Sequence, residues 1–248
     1  MSPKTPDFSH RADLVEFPEL MDQPCSLDEM RACLQDLARV NRWFRAYRPT
    51  LDWLEGLNLR SNGLVRILDV GCGYGDSLRR VEMWARERGI AAELTGLDLN
   101  PDIATIAADA TPSGSAIRWA SGDVFDDPIE GNVDVVISSL FTHHLTDANV
   151  ARFLRWMEEH ATVGWFVNDL SRAPIPYRLF GWFARVMRLH PFVQHDGPVS
   201  IARAFRPEDW RKLCADAGLS EADYRVLKYK PARLCIARSK PLRGSVSV

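Results

Sequence analysis

The sequence predicts an α/β fold built on a doubly wound, mostly parallel sheet with helices on both faces. Three observations lead to it. From Leu64 onward, short apolar runs alternate with amphipathic stretches. The run "VDVVISSL", Val133–Leu140, is almost wholly apolar or small, as a strand covered on both faces requires. A glycine-rich turn, "GCGYG" at Gly71–Gly75, directly follows the first strand. With 248 residues, 46% of them hydrophobic, the chain can form one large domain with an appended cap or lid.

The elements follow in order. Residues 1 to about 17 read as a flexible or loosely docked tail. A helix is predicted from Ser26, which can cap it, with Glu29 three residues later as in a capping box. Met30, Leu34, Leu37, Val40 and Phe44 recur along it at helical spacing. "RPTLDWLEGL" continues in helical style to about Leu57 after a break near Pro49. The turn signal "RSNG" then separates a tail and helical cap, 1–60, from the main domain, 61–248. Leu64–Val70 is the first strand, and "DSLRRVEMWARERG" a helix ending at Gly89. Ala92–Leu99 is the second strand, followed by a helix with Asn100 as cap and Pro101 at its first position. "SAIRWASGDV" is the third strand and Val133–Leu140 the fourth. "DANVARFLRWMEEHA" is a helix and Val163–Leu170 the fifth strand. Residues 173–200 break the alternation and are too long for a plain connection, so they read as a lid insertion before the sixth strand. "RPEDWRKLCADAGL" is a further helix, and "YRVLKYK" with "ARLCIARS" form a terminal hairpin.

Composition narrows the function. A formal net charge of -2 carries no global electrostatic signature of nucleic-acid binding. The five cysteines, Cys25, Cys33, Cys72, Cys214 and Cys235, show neither zinc-ligand spacing nor a disulfide framework. Free thiols, an N-terminus without a signal peptide's apolar stretch, and the lack of any bilayer-length apolar run together lead us to expect a soluble cytoplasmic protein.

The glycine turn discriminates between ligand classes. A triphosphate loop needs Lys and Ser/Thr after its last glycine, and Asp76 and Ser77 stand there instead. A dinucleotide fingerprint needs a third glycine where Asp76 falls, and an acid suits a pyrophosphate poorly. The pattern D-x-G-x-G-x-G, with Asp69 two residues before Gly71, better suits a ligand that carries an ammonium group and no phosphate. At this point the chain resembles the class I S-adenosylmethionine-dependent methyltransferases, whose first motif "LDVGCGYG" matches closely.

The resemblance runs from Leu64 to Leu170 with the motifs in order, and it implies a seven-stranded sheet of order 3-2-1-4-5-7-6 with strand 7 antiparallel. It implies S-adenosyl-L-methionine as cofactor, held at the amino-acid end by Asp69, Gly71, Cys72 and Gly73. Asp98 would accept the ribose hydroxyls, and Leu99 would pack on adenine. Asp123 would take the adenine amino group between Gly122 and Val124, with Ser139 at the end of the fourth strand near the methyl.

For a hydroxyl acceptor, a general base is useful, and "THHLTD" offers His143 and His144 just past that strand. The alternative is that they orient a loop. Asn168 and Arg172 end the fifth strand on the same rim and could face a ligand. The Asn/Asp-Pro-Pro-aromatic turn of N6-adenine enzymes, the Pro-Cys of cytosine-C5 enzymes and the paired glutamates of arginine methyltransferases are all absent, so a small molecule is the expected acceptor, with no nucleic-acid partner. In the lid, Tyr177, Phe180 and Phe183 belong to an aromatic collection that would build an apolar acceptor pocket. The arrangement is similar to O-methyltransferases of phenolic, polyketide or quinone-like molecules. C-methylation of a quinone precursor or lipid, and a non-catalytic cofactor-binding subunit, are the alternatives. No acidic cluster in sequence accompanies His143, so no metal is expected. The chain is expected to be a monomer or homodimer, without stable membrane insertion but with a basic–aromatic helix that could rest on a membrane surface.

Overall fold

The computed structural model describes residues 6–57, 59, 63–126 and 133–241. The chain runs α1 (Leu27–Trp43), α2 (Arg48–Glu55), β1 (Val65–Val70), α3 (Asp76–Glu87), β2 (Ala92–Asp98), α4 (Pro101–Asp109), β3 (Arg118–Ser121) and β4 (Val133–Ser139). It continues with α5 (Asp147–His160), β5 (Ala161–Leu170), α6 (Pro174–Val186), α7 (Pro191–Arg203), α8 (Pro207–Asp216), β6 (Arg225–Tyr229) and β7 (Arg233–Ser239). The strands form one seven-stranded sheet of order β3-β2-β1-β4-β5-β7-β6, parallel except at β7, as expected.

Two apolar clusters cover the two faces of the sheet. Leu68, Val70, Val136, Trp165, Val167, Leu234 and Ile236 face α5 and α8. Val65, Ile67, Val135, Phe166, Cys235 and Ala237 face α2 and α3. The period-2 alternation of a strand dictates this division, and it also decides which way each strand-end side chain points. Trp53 and Leu54 of α2 lie within the second cluster, so α2 packs on the sheet itself. The turn residues Arg60–Asn62, on which the expected boundary at 60/61 rests, are outside the described residues.

Local signals explain most ends. Ser26 and Glu29 form the capping box of α1, and the Asn100 side chain accepts from the Asp102 N–H at the start of α4. The break between α1 and α2 spans residues 44–47, where Arg45 takes φ 50°, and Pro49 sits in the first turn of α2. β3 is shorter than the run "SAIRWASGDV" suggests. Glu82 takes the Ser115 hydroxyl and the Ala116 N–H, so the first residues of that run bond to a side chain instead of a ladder. β3 also lies at the sheet edge and pairs only with β2.

Residues 6–17 do not form the loose tail expected. Arg172 donates to the carbonyls of Phe8 and Ser9, Arg203 to those of Leu14 and Phe17, and the Ala12 N–H bonds to Ala202. Buried guanidiniums satisfy their donors on the strap, so it crosses the molecule as a fixed element.

The glycine turn follows β1 with positive φ at Gly71, Gly73 and Gly75. A Cβ at Gly75 would lie 2.2 Å from the Trp119 ring, and one at Gly71 would lie 2.6 Å from Phe141. At Gly73 it would meet nothing within 4 Å. Two of the glycines therefore admit neighbouring rings, and Gly73 borders open space. Gly75→Ala combines overpacking with left-handed strain, about 2 kcal/mol in sum. It should lower Tm by roughly 4–8 °C in a thermal melt, and Gly73→Ala should lower it less.

Candidate active site

The carboxyl ends of β1, β4 and β5 open into a cavity of about 180 Å3 between the sheet, α1 and the α6–α7 lid. Asp69, Gly71, Cys72, Gly73, Ser139 and His143 line its floor, and Leu34, Leu37, Val40, Phe180, Val193 and Ile201 its apolar walls. A larger open groove of about 620 Å3 between α1 and α3 contains none of the expected catalytic residues.

Asp69 is the anomaly of this floor. Its carboxylate is fully buried, and neither oxygen has a hydrogen-bond partner among the described residues. Burial, with Asp76 and Asp98 nearby, pushes its pKa well above the ordinary carboxyl value. An uncompensated acid beside an open glycine cradle is complementary to a cation. Asp98 ends β2 and accepts from the Gly73 N–H at 3.0 Å and the Asn100 N–H at 3.2 Å. Burial raises its pKa, and those two N–H groups pull it back. Leu99 beside it is exposed. Asp123 accepts from Phe125 and stands after β3, while the Gly122 N–H bonds to the Asp98 carbonyl and links these two strand ends. The Val124 side chain turns into the core, which leaves only its backbone to face a ligand.

Asp169 organises the other half of the site. It is fully buried at the end of β5 and accepts from the Thr142 hydroxyl, the His143 N–H and its neighbour Leu170. His143 Nδ1 lies 2.7 Å from its Oδ1. Burial alone would raise its pKa, but the imidazole and these donors hold it well below the usual carboxylate range. An ionised Asp169 can only accept, so the imidazole donates to it from Nδ1 and turns Nε2 the other way, toward Glu19 on the cavity lining. This proton placement follows from the bonding partners.

Residues 67–164 match the methyltransferase-domain family. No curated protein matches the sequence significantly. Human N-acetylserotonin methyltransferase, solved in complex with SAM, superimposes with a TM-score of 0.62 at 18% identity over 87% of this chain and 56% of its own. The plantazolicin methyltransferase BpumL, in complex with SAH, does so with a TM-score of 0.60 at 13% identity over 86% and 96%. Magnesium protoporphyrin IX methyltransferase from Synechocystis, with bound SAH, gives 0.53 at 18% over 83% and 86%. The fold and the family match agree. Residues 67–164 match a methyltransferase domain, on the fold of these SAM- and SAH-bound enzymes. The chain spans little more than half the length of the human enzyme.

The residues present fit the cofactor of this methyltransferase domain: a buried, unpartnered Asp69 for an ammonium group, an open Gly73, and a strand-end Asp98. Other expectations are redirected by the structure. Asn168 faces α2, donating to the Ala46 carbonyl and Thr50, and lines no part of the cavity. Arg172 is buried and bonded to Phe8, Ser9, Ala204 and Asp209, so it anchors the strap instead of a ligand. Tyr177 packs edge-on against Phe8, and Phe183 against Trp43 and Phe44. Phe180 alone of the three expected lid aromatics reaches the cavity.

Acids do surround the histidines, contrary to the premise behind expecting no metal. Glu19, delivered by the strap, has Oε1 3.9 Å from His143 Nε2 and Oε2 3.8 Å from His144 Nε2. Asp22 lies 3.4 Å from His144 Nδ1. Burial alone would lower the His144 pKa, but Asp22 and Glu19 overcome it and raise it. Glu19, His143 and His144 could together hold a metal ion, with ligand atoms within 4.8 Å of one another. Arg203, 3.2 Å from Glu19, already supplies positive charge and competes with a cation there. Glu19 had no sequence signal, since it follows a proline in a segment without periodicity.

The Asp69 pKa has a thermodynamic consequence. Its folded value lies above the ordinary one, so stability of the ligand-free protein falls as pH rises from the ordinary carboxyl value toward the folded value. Asp69→Asn should raise the ligand-free Tm at pH 7 by a few degrees and flatten that decline. Loss of a charge-assisted hydrogen bond should weaken S-adenosylhomocysteine binding about tenfold or more, as read by calorimetry.

Proposed function

We propose that the protein methylates a hydroxyl of a small, largely apolar acceptor, with His143 as general base and Asp169 as the residue that orients it. The observation that carries this reading is the buried Asp169–His143 pair at 2.7 Å, with Nε2 on the cavity side. S-adenosylmethionine, when bound, supplies a methyl group already activated by its positive sulfur. The chain then has to bind, align and desolvate. Asp69 would hold the ammonium end, and Asp98 the ribose. Leu99 and Asp123 would serve the adenine, and Cys72 and Ser139 border the cavity toward the acceptor side.

His143 Nε2 takes the acceptor proton as the new oxygen–carbon bond forms, and Asp169 stabilises the resulting imidazolium. His144, held toward its charged form by Asp22 and Glu19, balances those acids beside the acceptor. Leu34, Leu37, Val40, Phe180 and Val193 form an apolar wall facing a polar floor that includes Ser139 and His143, which suits an aromatic or alkyl-bearing molecule that presents a hydroxyl.

No helix among the described residues is long and apolar enough to cross a membrane. We expect the enzyme to act in the cytoplasm as a monomer or homodimer. Transfer of labelled methyl to members of a phenol panel is the direct test; failure with every acceptor would favour a cofactor-binding subunit without turnover. His143→Ala should lower kcat by about 10²–10⁴-fold, with S-adenosylmethionine affinity unchanged. Asp169→Asn should reduce kcat through the wrong tautomer.

A further inference from the structure

We propose that the outer face of α6 docks this protein on an anionic lipid bilayer. Ile175, Leu179, Trp182 and Val186 recur at helical spacing and make one stripe. All four are exposed, Trp182 at 66% and Leu179 at 61% of their surface. The stripe continues into exposed Met187 and, across Phe183, into Trp43 and Phe44 at the end of α1. A contiguous apolar patch of this kind marks an interaction surface.

The charge around it selects the partner. No Asp or Glu occurs between Asp169 and Asp196, whereas Arg178, Arg185 and Arg188 are exposed along that stretch. Arg42 and Arg45 are exposed beside Trp43 and Phe44. The nearest acid of α1, Asp36, is engaged with Arg39 and the His190 N–H. The whole chain has a net charge of -2, so this basic rim is a local concentration. Aromatic and aliphatic side chains framed by arginines suit acyl chains under anionic headgroups. A second copy of this chain on the same face would set the arginines against their own equivalents. At 13 residues α6 is too short to span a bilayer, so it would lie in the plane of the interface.

The opposite side of α6 contributes Phe180 to the acceptor cavity, and the α6–α7 contact is fixed where Phe180 crosses Gly197. The surface that meets lipid is therefore one helix diameter from the acceptor wall. An apolar acceptor would be drawn from the bilayer phase. The docking itself does not depend on methyl transfer.

Flotation with vesicles containing 30% phosphatidylglycerol should carry the wild-type protein upward, and pure phosphatidylcholine vesicles should carry at least tenfold less. High salt should release it. Leu179→Ser/Trp182→Ser should cut partitioning at least tenfold, and Arg178→Glu/Arg188→Glu should abolish the preference for anionic lipid. Both double variants change exposed positions and should retain the wild-type Tm and S-adenosylhomocysteine affinity. Equal binding to both vesicle types, no binding to either, or unchanged partitioning of the serine variant would overturn the proposal. So would a wild-type dimer in sedimentation that Trp182→Ser dissociates.

Discussion

A carboxylate buried at the end of a central strand and given no partner is the constraint around which the rest of the site is arranged. Asp69 is on the same sheet face as Ile67, and the neighbouring acids Asp76 and Asp98 make its ionisation harder. Asp98 is occupied by the Gly73 N–H, and Asp76 by Tyr47 at 2.5 Å and Asn41 at 3.2 Å. The Gly73 N–H, the Tyr47 hydroxyl and the Asn41 amide are thereby committed to other acids. The fold accepts a destabilised acid at the one place where an incoming cation can relieve it, a trade between stability and function that active sites commonly show.

The two halves of the site are reached from opposite faces of one sheet. Asp69 points toward α2 and α3, whereas Asp169 points toward the α5 and α8 side, where it meets Thr142 and His143. They converge only because β1, β4 and β5 are parallel and end at the same edge, the usual location of ligand sites in open α/β sheets. The antiparallel β7 then brings Arg233 to that edge opposite Leu170, where its side chain lines the cavity and one guanidinium nitrogen has no partner among the described residues.

Much of this was legible in the residues. Strand and helix order, the capping box at Ser26 and the cap at Asn100 all follow from local pattern and spacing, which the structure reproduces closely. What the sequence concealed depends on tertiary placement. The polar group expected to face a ligand at the end of β5 was Asn168, but alternation turns Asn168 to α2 and its neighbour Asp169 to the histidine. Arg172 looked like a ligand residue because a buried arginine and a substrate-binding one have the same letter; only the carbonyls of Phe8 and Ser9 distinguish them. Glu19 lacked any periodic context. Its place beside His143 is set by contacts with Ser200 and Arg203, far along the chain.

That long reach has a bearing on how the protein matures. Leu20, Glu19 and Phe17 are translated 176, 181 and 186 residues before Asp196, Ser200 and Arg203, the residues that bind them. Until α7 emerges, Phe17, Glu19 and Leu20 lack these partners, and Glu19 is not yet held beside His143 and His144. A nascent chain can thus pair β1 to β5 while the cavity at their carboxyl ends still lacks the wall that α7 provides, so that cavity closes only after the lid has been made.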